Sequence, residues 1–205
     1  ETIVQVGFNR RFSPMVEKMK KFISGQISVN YRINAGIIPK NVWIQDRTIG
    51  GGRIIGEVCH FIDTCSYLIG SEVKSVFATT INKEDKSIPD EDNVNIVLNY
   101  ANGSTATISY YAYGDNSMPK EYIEVFSSGV SMQMNDFREL TIFKGGKFSK
   151  EKSANQDKGF VNEFKAFKEA IKSGNEAIDM KSIYNTTKTT FKILESIRSK
   201  SLVEI

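Results

Sequence analysis

Six runs of period-two alternation, one after another, limit this chain more than any other feature in it. VKSVFATTI (73–81), NVNIVLNY (93–100), TATISYYAY (105–113), EYIEVFSS (121–128), VSMQM (130–134) and LTIFKGG (140–146) follow that rhythm, with turn residues between them. Successive side chains on a strand point to opposite faces, so the pattern demands a sheet, and the short links make neighbouring strands antiparallel. Hairpins are expected at residues 101–104, around Asn102 and Gly103, and at Gly145 and Gly146. The second run shows what each face must meet. Val94, Ile96, Leu98 and Tyr100 point one way, whereas Asn93, Asn95 and Asn99 point the other with only Val97 among them. Helices are to cover the first face, and the second stays largely polar.

The covering helices are legible on either side of these runs. ETIVQVGFN (1–9) reads as a short strand, although nothing precedes it to pair with. Ser13 can N-cap a helix, Pro14 suits its first position and Gly25 can end it, with Met15, Met19, Phe22 and Ile23 on the inner stripe. QISVNYRINAGIIP then supplies a strand with Val29, Tyr31 and Ile33 on one face, closed by Pro39. A polar loop follows, and a helix is expected from about Arg53 to Leu68. After the strands, Phe160, Phe164, Phe167 and Ile171 form one helical stripe ending near Gly174. Asp179 caps a last helix with Ile183, Thr187, Phe191 and Leu194 turned inward. Both stripes are expected in the core. The order describes an α+β domain, a sheet with helices on one face.

A chain of 205 residues with 40% hydrophobic and 25% charged residues is of a size and make-up for one large globular domain, 1–205. The net charge of +3 is mild. Without a basic stripe or interleaved aromatics it gives no reason to expect a nucleic-acid partner. The lysine-rich stretches at 17–21 and 147–152 are read as solvated surface. No apolar run approaches ~20 residues, so no membrane span is expected. The start of the chain lacks the features of a signal peptide, and a reducing cytoplasm is read from the cysteines. Cys59 and Cys65 lie six residues apart on the expected helix, about 9 Å along its axis. That exceeds the ~7 Å reach of a disulfide and is read as two buried free thiols.

GGGRIIGEVCHFIDTCSYLIG (50–70) holds three consecutive glycines, both cysteines and the only histidine. It is no nucleotide loop. Gly51, Gly52 and Gly56 miss the G-x-G-x-x-G spacing, and Glu57 and Val58 stand where a P-loop carries Lys and Ser/Thr. It is a poor metal site as well. Adjacent residues on a helix diverge by about 100°, so Cys59 and His60 cannot easily share an ion, and no second cluster completes the shell. Acid–base chemistry fits better: Glu57, His60 and Asp63 fall at i, i+3 and i+6, so two carboxylates flank the imidazole, favour its protonated form and let it exchange a proton near neutral pH. A lone histidine hydrogen-bonded between sheet and helix is the equal alternative.

VGFNRRFSP (6–14) and NVWIQDRTIGGGRIIGEVCHFID (41–63), with the strands that follow, resemble the C-terminal domain of the glucose–fructose oxidoreductase/inositol dehydrogenase (Gfo/Idh/MocA) family over essentially the whole chain. The resemblance implies a large open, mainly antiparallel mixed sheet of the dihydrodipicolinate-reductase-like type. It also implies a missing N-terminal Rossmann domain that binds NAD or NADP, with residues 1–12 as strand and linker from it. GGRIIGEVCHFID looks most like members that act on nucleotide sugars or follow a zinc-type alcohol dehydrogenase domain. His60 matches the family's proton-transferring histidine, but Gly56 stands where an aspartate often sits, leaving Glu57 as the available carboxylate. The family's catalytic lysine belongs to the Rossmann half. Asn9 and Arg10 match positions lining the pocket, Arg10 next to the nicotinamide.

Asn34, Trp43, Asp46 and Lys120 are weaker candidates for substrate contact. A capping asparagine, an interface tryptophan, a turn aspartate and a solvated lysine are equal readings. The implied activity is NAD(P)-dependent oxidation of a secondary alcohol on a sugar, nucleotide sugar or cyclic polyol, in a homodimer or homotetramer joined through the open sheet face. The chain alone is expected to be inactive and to bind neither NAD nor NADP. The alternative is a non-catalytic assembly or ligand-sensing module of the same fold.

Overall fold

The computed structural model describes residues 2–81 and 89–205; Glu1 lies outside them. The strands are β1 (Ile27–Asn34), β2 (Val73–Thr80), β3 (Asn93–Tyr100), β4 (Thr105–Tyr111) and β5 (Glu121–Ser127). They continue with β6 (Val130–Asn135), β7 (Glu139–Lys144), β8 (Lys147–Lys152) and β9 (Val203–Glu204). The helices are α1 (Pro14–Lys20), α2 (Cys59–Ile69), α3 (Phe160–Ser173) and α4 (Met180–Ser199). One nine-stranded sheet runs β8-β7-β6-β5-β1-β4-β3-β2-β9. β1 slots between β4 and β5, parallel to β4 and antiparallel to β5, and the other pairings are antiparallel. The expected α+β class and the mixed, mainly antiparallel open sheet are what the chain forms.

Alternation fixes the buried rows. Val29 lies between Ala106 and Val125, Tyr31 between Ile108 and Ile123, and Ile33 between Tyr110 and Glu121. α2 lays Phe61, Ile62, Cys65 and Leu68, all fully buried, over this face. Phe61 sits edge-on to Tyr31, centroids 5.2 Å apart. Burying an aliphatic or aromatic side chain of this size contributes about 1.5–3 kcal/mol each, which is why this face decides the register. α4 packs on β2 and α2 through Ile193, Leu194 and the buried Thr186, Thr189 and Thr190. Both cysteines are free. No helix among the described residues is long and apolar enough to cross a membrane.

Several expectations are corrected. Residues 2–8 form no strand; Phe8 instead plugs a small cluster with Ile178 and Ile183, and Asn9–Phe12 make a 3-10 turn. Without a neighbouring strand, an apolar run has no ladder partner, and burial decides its course. α1 stops at Lys20, not at Gly25, because Lys21, Phe22 and Ile23 bond back three residues and tighten the last turn. Ser13 precedes α1, but its hydroxyl donates to Asp157 O rather than capping. The helix expected from Arg53 begins as a π-helical turn, Ile54–Val58, and ends at Gly70. The lysine-rich stretch 147–152 is exposed as expected, yet it is strand β8, the edge of the sheet. Lysines along an edge discourage pairing with another sheet.

The largest correction concerns α3. It packs on the Asn9–Phe12 turn, where Asn162 donates to Phe12 O, and buries Glu163 and Ala170. Phe160, Phe164 and Ile171 are exposed to 57%, 71% and 59%. Phe191 and Thr187 of α4 also face outward. Helical period was right and the partner was not, because a stripe records that something covers it, not what.

Candidate functional site

Charged side chains gather where β1 and β4 end, β5 begins, and the start of α2 crosses them. Two carboxylates organise the place. Glu121, fully buried in the same row as Ile33, accepts Arg10 Nε and Nη2 at 2.8 and 3.0 Å, Lys158 Nζ at 2.8 Å and the Tyr31 hydroxyl. Glu57, on the π-helical turn, accepts Lys120 Nζ at 2.7 Å, Arg53 Nη2 at 2.9 Å and the Tyr110 hydroxyl. The guanidiniums lie over rings, Arg10 4.8 Å above Phe61 and Arg53 4.9 Å above Tyr110. Burial by itself would raise both carboxyls. Arg10, then Lys158, hold Glu121 at about 2, and Lys120, Tyr110 and Arg53 hold Glu57 at about 2. Tyr31 and Tyr110 are pushed up, first by burial and then by the carboxylates beside them.

His60 stands between these clusters, edge-on to Phe8 with centroids 5.8 Å apart. Its Nδ1 is buried without a partner, and among the described residues no hydrogen bond engages Nε2. Neither Glu57 nor Asp63 bonds to the ring. Burial, then Arg10, lower its pKa to about 4, against smaller raising effects of Glu57 and Glu121. The expected pair of flanking carboxylates that favours the imidazolium is therefore corrected: the ring is neutral at pH 7. The π-turn contributes to this, since its wider winding shifts Glu57 off the regular helical phase onto Lys120, Arg53 and Tyr110. Asp63 is fully buried and held by Arg11 Nε at 3.0 Å and by Nη2; burial pushes its carboxyl up to about 6. It ties the Asn9–Phe12 turn to α2 and is not a partner of the imidazole.

The triple glycine has a geometric role. Gly51 and Gly52 take φ of +74° and +84°, turning the loop into the π-turn. Gly56 leaves room for Ile44, whose Cδ1 would lie 2.2 Å from a β-carbon placed there. A carboxylate at this position would displace Ile44.

The remaining candidates divide. Asn9 is buried, donating to Lys158 O at 2.8 Å, with its Oδ1 3.4 Å from Arg10 Nη1; both residues sit at the site. Lys120 joins them through Glu57. Asn34 donates to Asp115 O and Met118 O, so it pins the loop before Lys120. Asp46 caps its own turn by accepting Thr48 N at 2.7 Å. Trp43, 64% exposed on a short turn, packs its backbone on Gly50 and is not brought to His60. Sequence reading missed Glu121, Lys158, Arg53, Tyr110 and Tyr31. Glu121 was findable, being an acid in phase with Ile123 and Val125 on the apolar side of its strand.

A cavity of about 630 Å³ opens beside Lys120, between Asn34, Arg138 and Lys152. Among the described residues no group of three or more His, Cys, Asp or Glu side chains is placed to hold a metal ion. Nor do the described residues fit a dinucleotide. The glycines at 50–52 feed a turn that presents Glu57 rather than free backbone donors for a pyrophosphate, and no other strand-to-helix link is glycine-rich.

Comparison with known proteins brings independent findings. The family model for the GFO/IDH/MocA C-terminal domain matches residues 23–130. Uncharacterized oxidoreductase YrbE of Bacillus subtilis is 30% identical over 149 residues, 68% of this chain and 42% of the relative. Myo-inositol 2-dehydrogenase of Thermotoga maritima is 26% identical over 191 residues, 85% of this chain and 55% of the relative. An NAD binding oxidoreductase from Klebsiella pneumoniae superposes with TM-score 0.83 at 16% identity, over 100% of this chain and 66% of that one. Aldose-aldose oxidoreductase from Caulobacter crescentus gives TM-score 0.82 at 19% identity, over 99% and 64%. The chain spans about half the length of the curated relatives it matches.

Proposed function

The chain belongs to the GFO/IDH/MocA family by its C-terminal domain, and on that premise we propose that it is the substrate-binding, histidine-bearing part of an NAD(P)-dependent oxidoreductase. The substrate would be a secondary alcohol on a sugar, nucleotide sugar or cyclic polyol. The dinucleotide would be held by a separate Rossmann domain of the complete protein, since the residues present here do not fit it. A cytoplasmic location and a homodimer or homotetramer through the open sheet face belong to the same reading.

The observation that carries it is a neutral imidazole with one nitrogen available, set between two carboxylates that are already committed to cations. A neutral His60 can accept the hydroxyl proton or hold the hydroxyl oxygen by a hydrogen bond. Arg10 and Asn9, fixed by Glu121 and Lys158 O, would shape the wall beside it. Glu57 acts as a positioning residue, holding the Lys120 ammonium at the site. The competing reading, a non-catalytic assembly or sensing module, is favoured by one fact: no carboxylate bonds to the ring.

Turnover separates the two. In the complete enzyme His60→Ala is expected to lower kcat by about 10²–10⁴ while cofactor affinity stays unchanged, the usual worth of a positioned acid–base group. Unchanged turnover would leave His60 as a packed histidine and the module reading in its place.

A further inference from the structure

The charge around His60 does not balance. Among the described residues Arg10, Lys158, Arg53 and Lys120 meet two carboxylates, Glu121 and Glu57. Asp92, which feels the charge of Arg53, reduces the excess from two positive charges to one; Arg11 and Asp63 cancel each other. The excess sits on the lysines. Arg10 is spent on Glu121 and Asn9, and Arg53 reaches into Gly36 O, Ala35 O and Glu57. An ammonium has three donors, and Lys120 spends one of them, on Glu57, with 36% of its side chain exposed. It also lines the cavity of about 630 Å³, whose wall carries Arg138, Asp136 and the Lys152–Glu139 ion pair. Uncompensated positive charge at a half-buried site is costly until an anion arrives.

We propose that the substrate carries an anionic group, a carboxylate or a phosphate ester, and that Lys120, pinned by Glu57, is its receptor. This rests on the reading of the chain as a substrate-binding part, and it narrows the substrate class from sugars in general to acidic ones. It also accounts for the weak base that the ligand-free site contains. Burial first, then Arg10 and to a smaller extent Lys120, hold the imidazole neutral, with Glu57 and Glu121 opposing them. An anion bound at Lys120 adds negative charge beside the ring and raises the basicity of His60 only when the substrate is present.

His60 is the single histidine of the chain, so its ring gives one isolated NMR titration. In the ligand-free chain the midpoint is expected near 4. D-glucuronate or glucose 6-phosphate should raise it measurably, because negative charge brought to Lys120 favours the imidazolium. Glucose and myo-inositol should leave it in place. The two anionic probes tell carboxylate from phosphate. Lys120→Gln should remove the rise, and Lys120→Arg should keep most of it. An equal response to neutral and anionic sugars, no response to either anion, or a rise that survives Lys120→Gln overturns the proposal. Turnover of the complete enzyme is a separate readout. If no sugar is oxidised there, the oxidoreductase reading falls while the titration still decides the anion site.

Discussion

At the scale of single residues, the site depends on Glu121, an acid where the strand pattern calls for an apolar side chain. Ile33 borders it on β1, and Arg10 and Lys158 close over it. Its folded pKa of about 2 lies below the ordinary 4.5. The stabilisation it supplies is therefore complete above pH 4.5 and is lost as pH falls towards about 2. Glu121→Gln should flatten this acid limb in urea midpoints measured against pH. At neutral pH it should cost about 3–5 kcal/mol, because two cations are left without their counter-charge. An unaltered acid limb would mean that Glu121 is not the group that titrates there. His60 illustrates the limits of spacing. Glu57 and Asp63 stand at helical distances from it in the sequence, yet each is claimed by a cation from a distant segment, Lys120 and Arg11.

At the scale of elements, the helix periods were legible and their partners were not. Phe61 of α2 is fully buried against the sheet, and Phe61→Ala there should cost about 3–5 kcal/mol. The stripe of α3 has the same chemistry and the opposite placement. Phe164→Asn, at 71% exposure, should change the unfolding free energy by less than about 0.5 kcal/mol and make the chain more soluble. If urea denaturation instead shows a loss like that of Phe61→Ala, the stripe belongs to the core of this chain after all. The start of α2 adds a second case. A π-turn differs from an α-turn by one residue of winding, and nothing in RIIGEV announces it; Ile44 against Gly56 and Glu57 against Tyr110 are contacts from outside the segment.

At the scale of the whole molecule, the uncovered sheet face carries a pattern of its own. Across the strands one row reads Phe77, Val97, Thr107, Asn30, Glu124 and Gln133. The next reads Asn99, Thr105, Ser28, Phe126, Ser131, Phe143 and Phe148. Phe126 and Phe148 are exposed to 47% and 68%. Small polar groups between exposed aromatics suit a face that meets its own copy, in an isologous contact. Light scattering is expected to give a dimer or tetramer mass, and Phe126→Arg to give the monomer. A monomer at micromolar concentration before any substitution would remove this interface from the account.

The sequence by itself determined β1 to β7, their alternation, the hairpins at 101–104 and 145–146 and the caps at Gly174 and Asp179, because each rests on side-chain period or on backbone preferences within a few residues. Tertiary structure alone decided where β1 inserts, which face of α3 meets protein, and how Arg10, Lys120 and Lys158 converge on Glu57 and Glu121. Those outcomes depend on residues up to 150 positions apart, as in Phe12 and Asn162, and 111 apart in Arg10 and Glu121. Burial removes water from such pairs and makes their charges strong enough to set one another's protonation, and no local pattern carries that information.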